Sequence, residues 1–238
     1  MPHSEHIVSS FDRDLEGIQA QIMRMGGLVE EAIAKATEAL EARDPELARA
    51  VRDGDKAIDA LDERVNDEAA RIIAQRQPIA RDLRTVLTVF RVSNNLERIG
   101  DYAKNIAKRT ETIIDQPPVN GTAASLRRMA RQVELMLKDV LDAYIQRDAG
   151  LAMDVRMRDR DVDQMYSALF REYLTFMLED PRNITTCMHL HFMAKNIERM
   201  GDHVTSIAEQ VIYLVTGDLP EDERPKEDST PHDAGVGR

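Results

Sequence analysis

An all-α fold of six long helices is predicted by three features of this chain. Its composition favours helix: aromatic residues make up 4% of the 238 residues and Trp is absent, while Ala, Leu, Ile, Met, Glu and Arg abound. Prolines break the sequence at intervals that suit long helices. Between the breaks, apolar residues step by three and four, the spacing that holds one face of a helix against a core.

The breaks define helices over 5–43, 45–76, 80–115, 122–147, 149–179 and 182–216. Asp44-Pro45 reads as an N-cap followed by proline at the first helical position, and Asp180-Pro181 repeats that grammar before the sixth helix. Pro78, the pair Pro117-Pro118 and Pro220 mark the other ends. Each segment exceeds the average helix of about 11–12 residues, which points to a bundle with antiparallel sequential neighbours. In the third helix Val89, Val92, Leu96, Ile99, Ala103 and Ile106 form one buried seam. Leu190, Met193, Ile197, Met200, Val204, Ile207, Val211 and Leu214 form the corresponding seam in the sixth.

An internal duplication organises the chain. Asn95 to Ala107, N-L-E-R-I-G-D-Y-A-K-N-I-A, returns from Asn196 to Ala208 as N-I-E-R-M-G-D-H-V-T-S-I-A, with seven of thirteen positions identical. Composition alone would give about one. Arg43-Asp44 aligns with Arg147-Asp148, and Asp55-x-x-x-Asp59 with Asp159-x-x-x-Asp163, at one offset of 104, while the terminal motifs are offset by 101. Three residues lost from the second connection account for the difference, so residues 1–116 and 117–216 read as two three-helix repeats. From Gly217 to Arg238 come seven acids, three bases, three prolines and three glycines, the composition of a disordered acidic tail.

A net charge of −11 argues against broad attraction to nucleic acid, whose binding is carried by Lys and Arg neutralising phosphates. The single cysteine, Cys187, excludes an internal disulfide framework and a thiolate zinc knuckle, and fits a reducing cytoplasm. The first twenty residues hold no apolar core like that of a signal peptide, and no run of eighteen apolar residues occurs. A cytoplasmic location is therefore expected.

Candidate chemistry lies on acidic stripes. Glu97 and Asp101, and again Glu198 and Asp202, stand four residues apart, one helical turn apart on the same face. Asp55/Asp59 and Asp159/Asp163 have the same spacing. If the second and third helices of each repeat lie side by side, four carboxylates converge per half, a donor set suited to Mg²⁺, Mn²⁺, Ca²⁺ or iron. The rival reading is a solvated acidic face paired with Arg and Lys. Gly100 and Gly201 lie inside both copies although glycine costs about 1 kcal/mol against Ala in a helix, so they imply close approach of a backbone or a ligand. Lys195 stands where the first copy has Asn94, so the two sites need not be equivalent. Asn95 and Asn196 are candidates for helix cross-links, and His191 for an extra ligand or a packed side chain.

The two E-R-[I/M]-G-D blocks, the paired D-x-x-x-D segments and the opening F-D-R-D-L-E at Phe11 to Glu16 together resemble the PhoU family of phosphate-transport accessory regulators, over residues from about 5 to 216. The resemblance implies a bundle of two three-helix repeats and a cytoplasmic protein without an established catalytic activity. It implies a negative regulator of the phosphate-starvation response that links the ATPase of the high-affinity phosphate importer to a sensor histidine kinase. Multinuclear metal clusters in some relatives map onto Glu97, Asp101, Glu198 and Asp202, with Asp55, Asp59, Asp159 and Asp163 as second contributors. A homodimer is expected, reaching the membrane only through its partners. Arg43 and Arg147, exposed and repeated at helix junctions, are the candidate partner contacts. Two alternatives remain open: a metal-dependent oxidase or hydrolase, and a purely structural helical scaffold. Glu-x-x-His spacing, which ferritin-like di-iron sites require, is absent, His203 falling five residues after Glu198.

Overall fold

A computed structural model describes residues 3–220, with side chains from Phe11 onward apart from Asp12; the acidic stretch expected to be a tail lies largely outside the described residues. Six helices follow one another: α1 (His3–Ala42), α2 (Pro45–Arg76), α3 (Ala80–Ile113), α4 (Thr122–Gln146), α5 (Ala149–Glu179) and α6 (Ile184–Thr216). Among the described residues there is no strand.

Local chemistry sets the ends. Asp44 Oδ1 accepts from the Glu46 and Leu47 amides at 2.9 and 3.0 Å, and Asp148 Oδ1 from the Gly150 and Leu151 amides at 2.8 and 3.0 Å. Each such cap stabilises its helix by about 1 kcal/mol. The residue before each cap, Arg43 or Arg147, has φ 54° in the left-handed region. This lets the Asp44 and Asp148 amides bond back to the Ala39 and Ala143 carbonyls, both at 2.9 Å. The repeated Arg-Asp pair thus closes one helix and opens the next. Asp180 departs from expectation. It caps a 3-10 turn, Pro181–Asn183, and α6 begins only at Ile184.

Helix α1 packs on α2, α3 and α4, and α4 packs on α1, α5 and α6; α3 and α6 join the two trios. As α3 advances through Arg91, Asn95 and Arg109, its hydrogen-bond partners on α6 run backwards through Gln210, His203 and His189. The two motif helices are therefore antiparallel, and the repeats face each other across a pseudo-twofold. Every residue assigned to the α3 and α6 seams is buried, and a single apolar core runs through both trios. No helix among the described residues is long and apolar enough to cross a membrane.

The left-handed arginines yield a paired prediction. Glycine adopts this conformation without the Cβ strain of about 1 kcal/mol. Arg147→Gly should raise Tm by up to about 2–4 °C. Arg43→Gly gains the same relief but loses the guanidinium bonds to the Ile114 and Gln116 carbonyls at the end of α3, so its Tm should not rise. Thermal melts followed by circular dichroism decide; a lower Tm for Arg147→Gly would contradict the argument.

Candidate functional site: two acidic seams

The glycines position the acids. A Cβ at Gly100 would stand 3.0 Å from Ile58 Cδ1 and 3.7 Å from Asp55 Oδ1. At Gly201 it would stand 3.2 Å from Asp159 Oδ1 and 3.4 Å from Val162 Cγ1. Close helix packing is thus the use of both glycines, and it seats the Asp55 and Asp159 carboxylates against the middle of the two E-R-x-G-D blocks. Both aspartates are buried, as are Asp163 and Glu198. Glu97, Asp101 and Asp202 are half-buried, while Asp59 is exposed.

In the first seam the acids of α2 and α3 face one another. The Glu97 carboxyl is held above its ordinary value by burial and then by the charge of Asp101, with Asp62 and Asp59 adding to it. Asp59, though largely exposed, is raised by the desolvation of its inner side and by the charge of Asp55. The principal compensating cation is Lys104. Its Nζ donates to Asp55 and, at 3.0 Å, to Asp101, and its pKa is raised chiefly by the Asp55 hydrogen bond. Arg98, largely exposed, reaches Glu97 only at 3.7 Å and Asp101 at 4.0 Å, a weak pairing in water. Ser93 Oγ donates to Asp62 at 2.6 Å.

The second seam is built from the same parts with the cation at the other end. Lys195 Nζ donates to Glu198 Oε1 at 2.8 Å, while Glu198 Oε2 is buried and has no hydrogen-bond partner among the described residues. Burial raises the Glu198 pKa; Lys195 opposes this, and Asp202 and Asp163 reinforce it. Lys104 stands three residues after Asp101, where the second copy has Thr205; Lys195 stands three before Glu198, where the first has Asn94. Arg156, also buried, places Nε 3.5 Å from Glu209 Oε1.

Of the acids named from sequence, Asp55 and Asp101 share Lys104, Asp101 and Asp59 stand near enough to raise Glu97, Asp202 and Asp163 stand near enough to raise Glu198, and Asp159 lies against Gly201. Sequence reasoning missed Lys104 and Asp62, although Asp101 to Lys104 is an i,i+3 pair and Asp62 continues the stripe of Asp55 and Asp59. Asn95 Oδ1 meets His203 Nδ1 at 2.8 Å, the cross-helix link expected of it, whereas Asn196 forms no such link among the described residues. His191 is packed among Tyr166, Phe170 and Phe192 at centroid separations of 5.8, 5.2 and 5.8 Å. Arg43 is engaged with the turn that follows α3, whereas the Arg147 guanidinium makes no hydrogen bond or ion pair among the described residues.

Does this geometry suit a metal? The all-oxygen donor set suits a hard cation, and the orphaned Glu198 Oε2 is the kind of group one would satisfy. Among the described residues, however, no three His, Cys, Asp or Glu side chains converge closely enough to hold an ion, and Lys104 pairs with Asp55 and Asp101 while Lys195 pairs with Glu198.

A PhoU domain model matches residues 22–110 and 126–211, one segment in each trio. The chain belongs to the PhoU family. PhoU-family relatives include the phosphate-specific transport system accessory protein PhoU homologue of Rhizobium meliloti (strain 1021), 44% identical and covering 97% of each chain. That of Caulobacter vibrioides (strain NA1000 / CB15N) is also 44% identical, covering 94% of this chain and 98% of its own. PhoU from Pseudomonas aeruginosa superposes with a TM-score of 0.84 at 38% identity, over 87% of this chain and 100% of that one. The phosphate transport system regulatory protein PhoU from Streptococcus pneumoniae gives 0.82 at 29%, over 89% and 99%.

The pKa shifts carry a signed prediction for chelator-treated protein. A carboxyl whose folded pKa is raised destabilises the fold above that pKa, and the penalty disappears as pH falls to the unfolded value, 4.5 for Glu198. Glu198→Gln keeps an acceptor for Lys195 and removes the charge, so its Tm should exceed wild type at pH 7.5. The gap should close towards pH 4.5. His189 and His191, both lowered by burial, pull stability down below pH 6.5 in both proteins and cancel from the difference. A gap that is absent, or that widens on acidification, would refute this assignment.

Proposed function

We propose that this PhoU-family chain is a negative regulator of the phosphate-starvation response. It works as a cytoplasmic adaptor between the ATPase subunit of the high-affinity phosphate importer and a sensor histidine kinase, limits phosphate uptake, and acts by binding rather than by turnover. The observation that carries this reading is the near-full-length match to relatives named as phosphate-specific transport system accessory proteins. The two repeats, 1–116 and 117–216, are proposed as its units and the homodimer as its assembly, with Arg147 and Arg43 at the junctions as partner contacts.

The test is genetic and biochemical together. Deleting the gene should switch on a phosphate-starvation reporter in phosphate-replete medium, and the intact gene should silence it. The importer's ATPase subunit should co-purify with the full-length protein, and less of it with Arg147→Ala. A reporter unaffected by deletion, with no ATPase recovered, would overturn the adaptor.

Metal binding at the acidic seams is proposed as a second layer: a Mg²⁺, Mn²⁺, Ca²⁺ or iron cation, mononuclear or clustered, competes with Lys104 and Lys195 for the carboxylates. Support comes from the raised Glu97, Asp59 and Glu198 and from the unsatisfied Glu198 Oε2. Glu97, Asp101, Asp55 and Asp59 would serve the first seam, and Glu198, Asp202, Asp159 and Asp163 the second. Plasma mass spectrometry on untagged protein should find metal that is lost seam by seam in Glu97→Ala/Asp101→Ala and Glu198→Ala/Asp202→Ala. Lys104→Ala should increase it. Metal-free wild type with metal-free Lys104→Ala would leave the seams as lysine-neutralised acid clusters.

A further inference from the structure

Away from the acidic seams, a groove of about 320 Å³ between α3 and α6 is lined by Asn105, Lys108, Arg109, Thr112, His189 and Asn196. In a chain of 43 acids and 32 bases, its lining holds no carboxylate. We infer that this groove is a binding site for a phosphate-type oxyanion, with Lys108 and Arg109 supplying the charge and Asn105 and Asn196 the neutral donors.

The arginine is positioned without being neutralised. Its guanidinium carbon lies 4.4 Å above the Phe192 ring, and Nη1 is 3.4 Å from His189 Nδ1. Among the described residues neither Arg109 nor Lys108 forms an ion pair with an acid. An arginine stacked on an aromatic face keeps most of its five donors available, and its fork matches two oxygens of a tetrahedral anion. Lys108 adds a mobile ammonium, and the Asn105 and Asn196 amides make no hydrogen bond among the described residues. Thr112 Oγ1 is committed to the Lys108 carbonyl at 3.0 Å and only shapes the edge.

The duplication supplies an internal control. The corresponding groove on the other side of the α3–α6 crossing is lined by Asn66, Phe90, Arg91, Asn94, Asn95 and Gln210. Its one cation, Arg91, already donates to Gln210 Oε1 at 2.9 Å, and the position matching Lys108 is Glu209, which faces Arg156. One groove has been closed by internal pairing, while the other keeps two adjacent cations that meet no carboxylate among the described residues. Surface cations in water need no partner, but two of them held beside free amides in a concave wall, one braced by an aromatic ring, form a geometry that an anion completes.

The site stands on its own geometry and is independent of the adaptor reading. Calorimetric titration of the full-length protein with inorganic phosphate, at fixed ionic strength in chloride, should show saturable binding. Lys108→Ala/Arg109→Gln should weaken it about tenfold or more, the loss expected for removing charge-assisted hydrogen bonds. Neither side chain forms an ion pair among the described residues, so the phosphate-free Tm of the variant should stay near wild type. Arg109→Lys, which keeps the charge but not the fork, should weaken binding less, and covers the case in which the double variant does not fold. Glycerol phosphate distinguishes the source: tighter binding than free phosphate places the phosphoryl group on a larger molecule, and weaker binding favours the free anion. Potassium glutamate at equal ionic strength should not compete. No saturable phosphate binding, equal binding by the double variant, or equal competition by glutamate, which would mark an acidic-peptide site, would each overturn the inference.

Discussion

The close approach of α2 to α3 at Gly100, and of α5 to α6 at Gly201, is the constraint on which both acidic seams depend. Ile58 crowds the space a side chain would take at the first glycine, with Asp55 in ordinary contact beside it, and Asp159 and Val162 crowd the second. Glycine in a helix interior costs about 1 kcal/mol against alanine. Here that cost places an aspartate of one helix beside a Glu-x-x-x-Asp pair on the next, so like charges share a partly dry cleft. Desolvation and mutual repulsion then raise Glu97, Asp59 and Glu198 together.

Such a cleft demands positive charge, and the duplicated halves meet the demand differently. The first brings Lys104 from beyond Asp101, bridging both helices. The second brings Lys195 from before Glu198 and satisfies only one of its oxygens. A pseudo-twofold molecule therefore carries two chemically distinct seams. The same divergence recurs at the α3–α6 crossing, where one groove is internally paired through Arg91 and Gln210 and the other leaves Lys108 and Arg109 open. Duplication supplied the frame, and single substitutions at equivalent positions assigned each half its charge.

Much of this frame was legible before any coordinates. Apolar steps of three and four named the buried seams of α3 and α6 because a helix has one period and one buried face. Asp44 and Asp148 announced helix starts because a short acceptor beside free amides has few other uses. Less legible was why an arginine precedes each. Its left-handed backbone is imposed by the closing turn, which no side-chain preference reveals. Lys104 has one acid at helical spacing, Asp101, and reads as an ordinary i,i+3 pair; only the position of Asp55 on α2 makes it the bridge.

By itself the sequence determined the all-α class, the helix boundaries to within a few residues, the duplication and the paired spacing of its acidic stripes. These follow from local periodicity and repeated spacing, which need no knowledge of neighbours. The tertiary structure decided what depends on distances between helices: that α3 and α6 run antiparallel, that one core joins both trios, that the motif glycines serve packing, and which cation meets which carboxylate. Charge pairing falls off over a few ångströms, so residues 49 positions apart, as Asp55 and Lys104 are, become partners only once the backbone is placed.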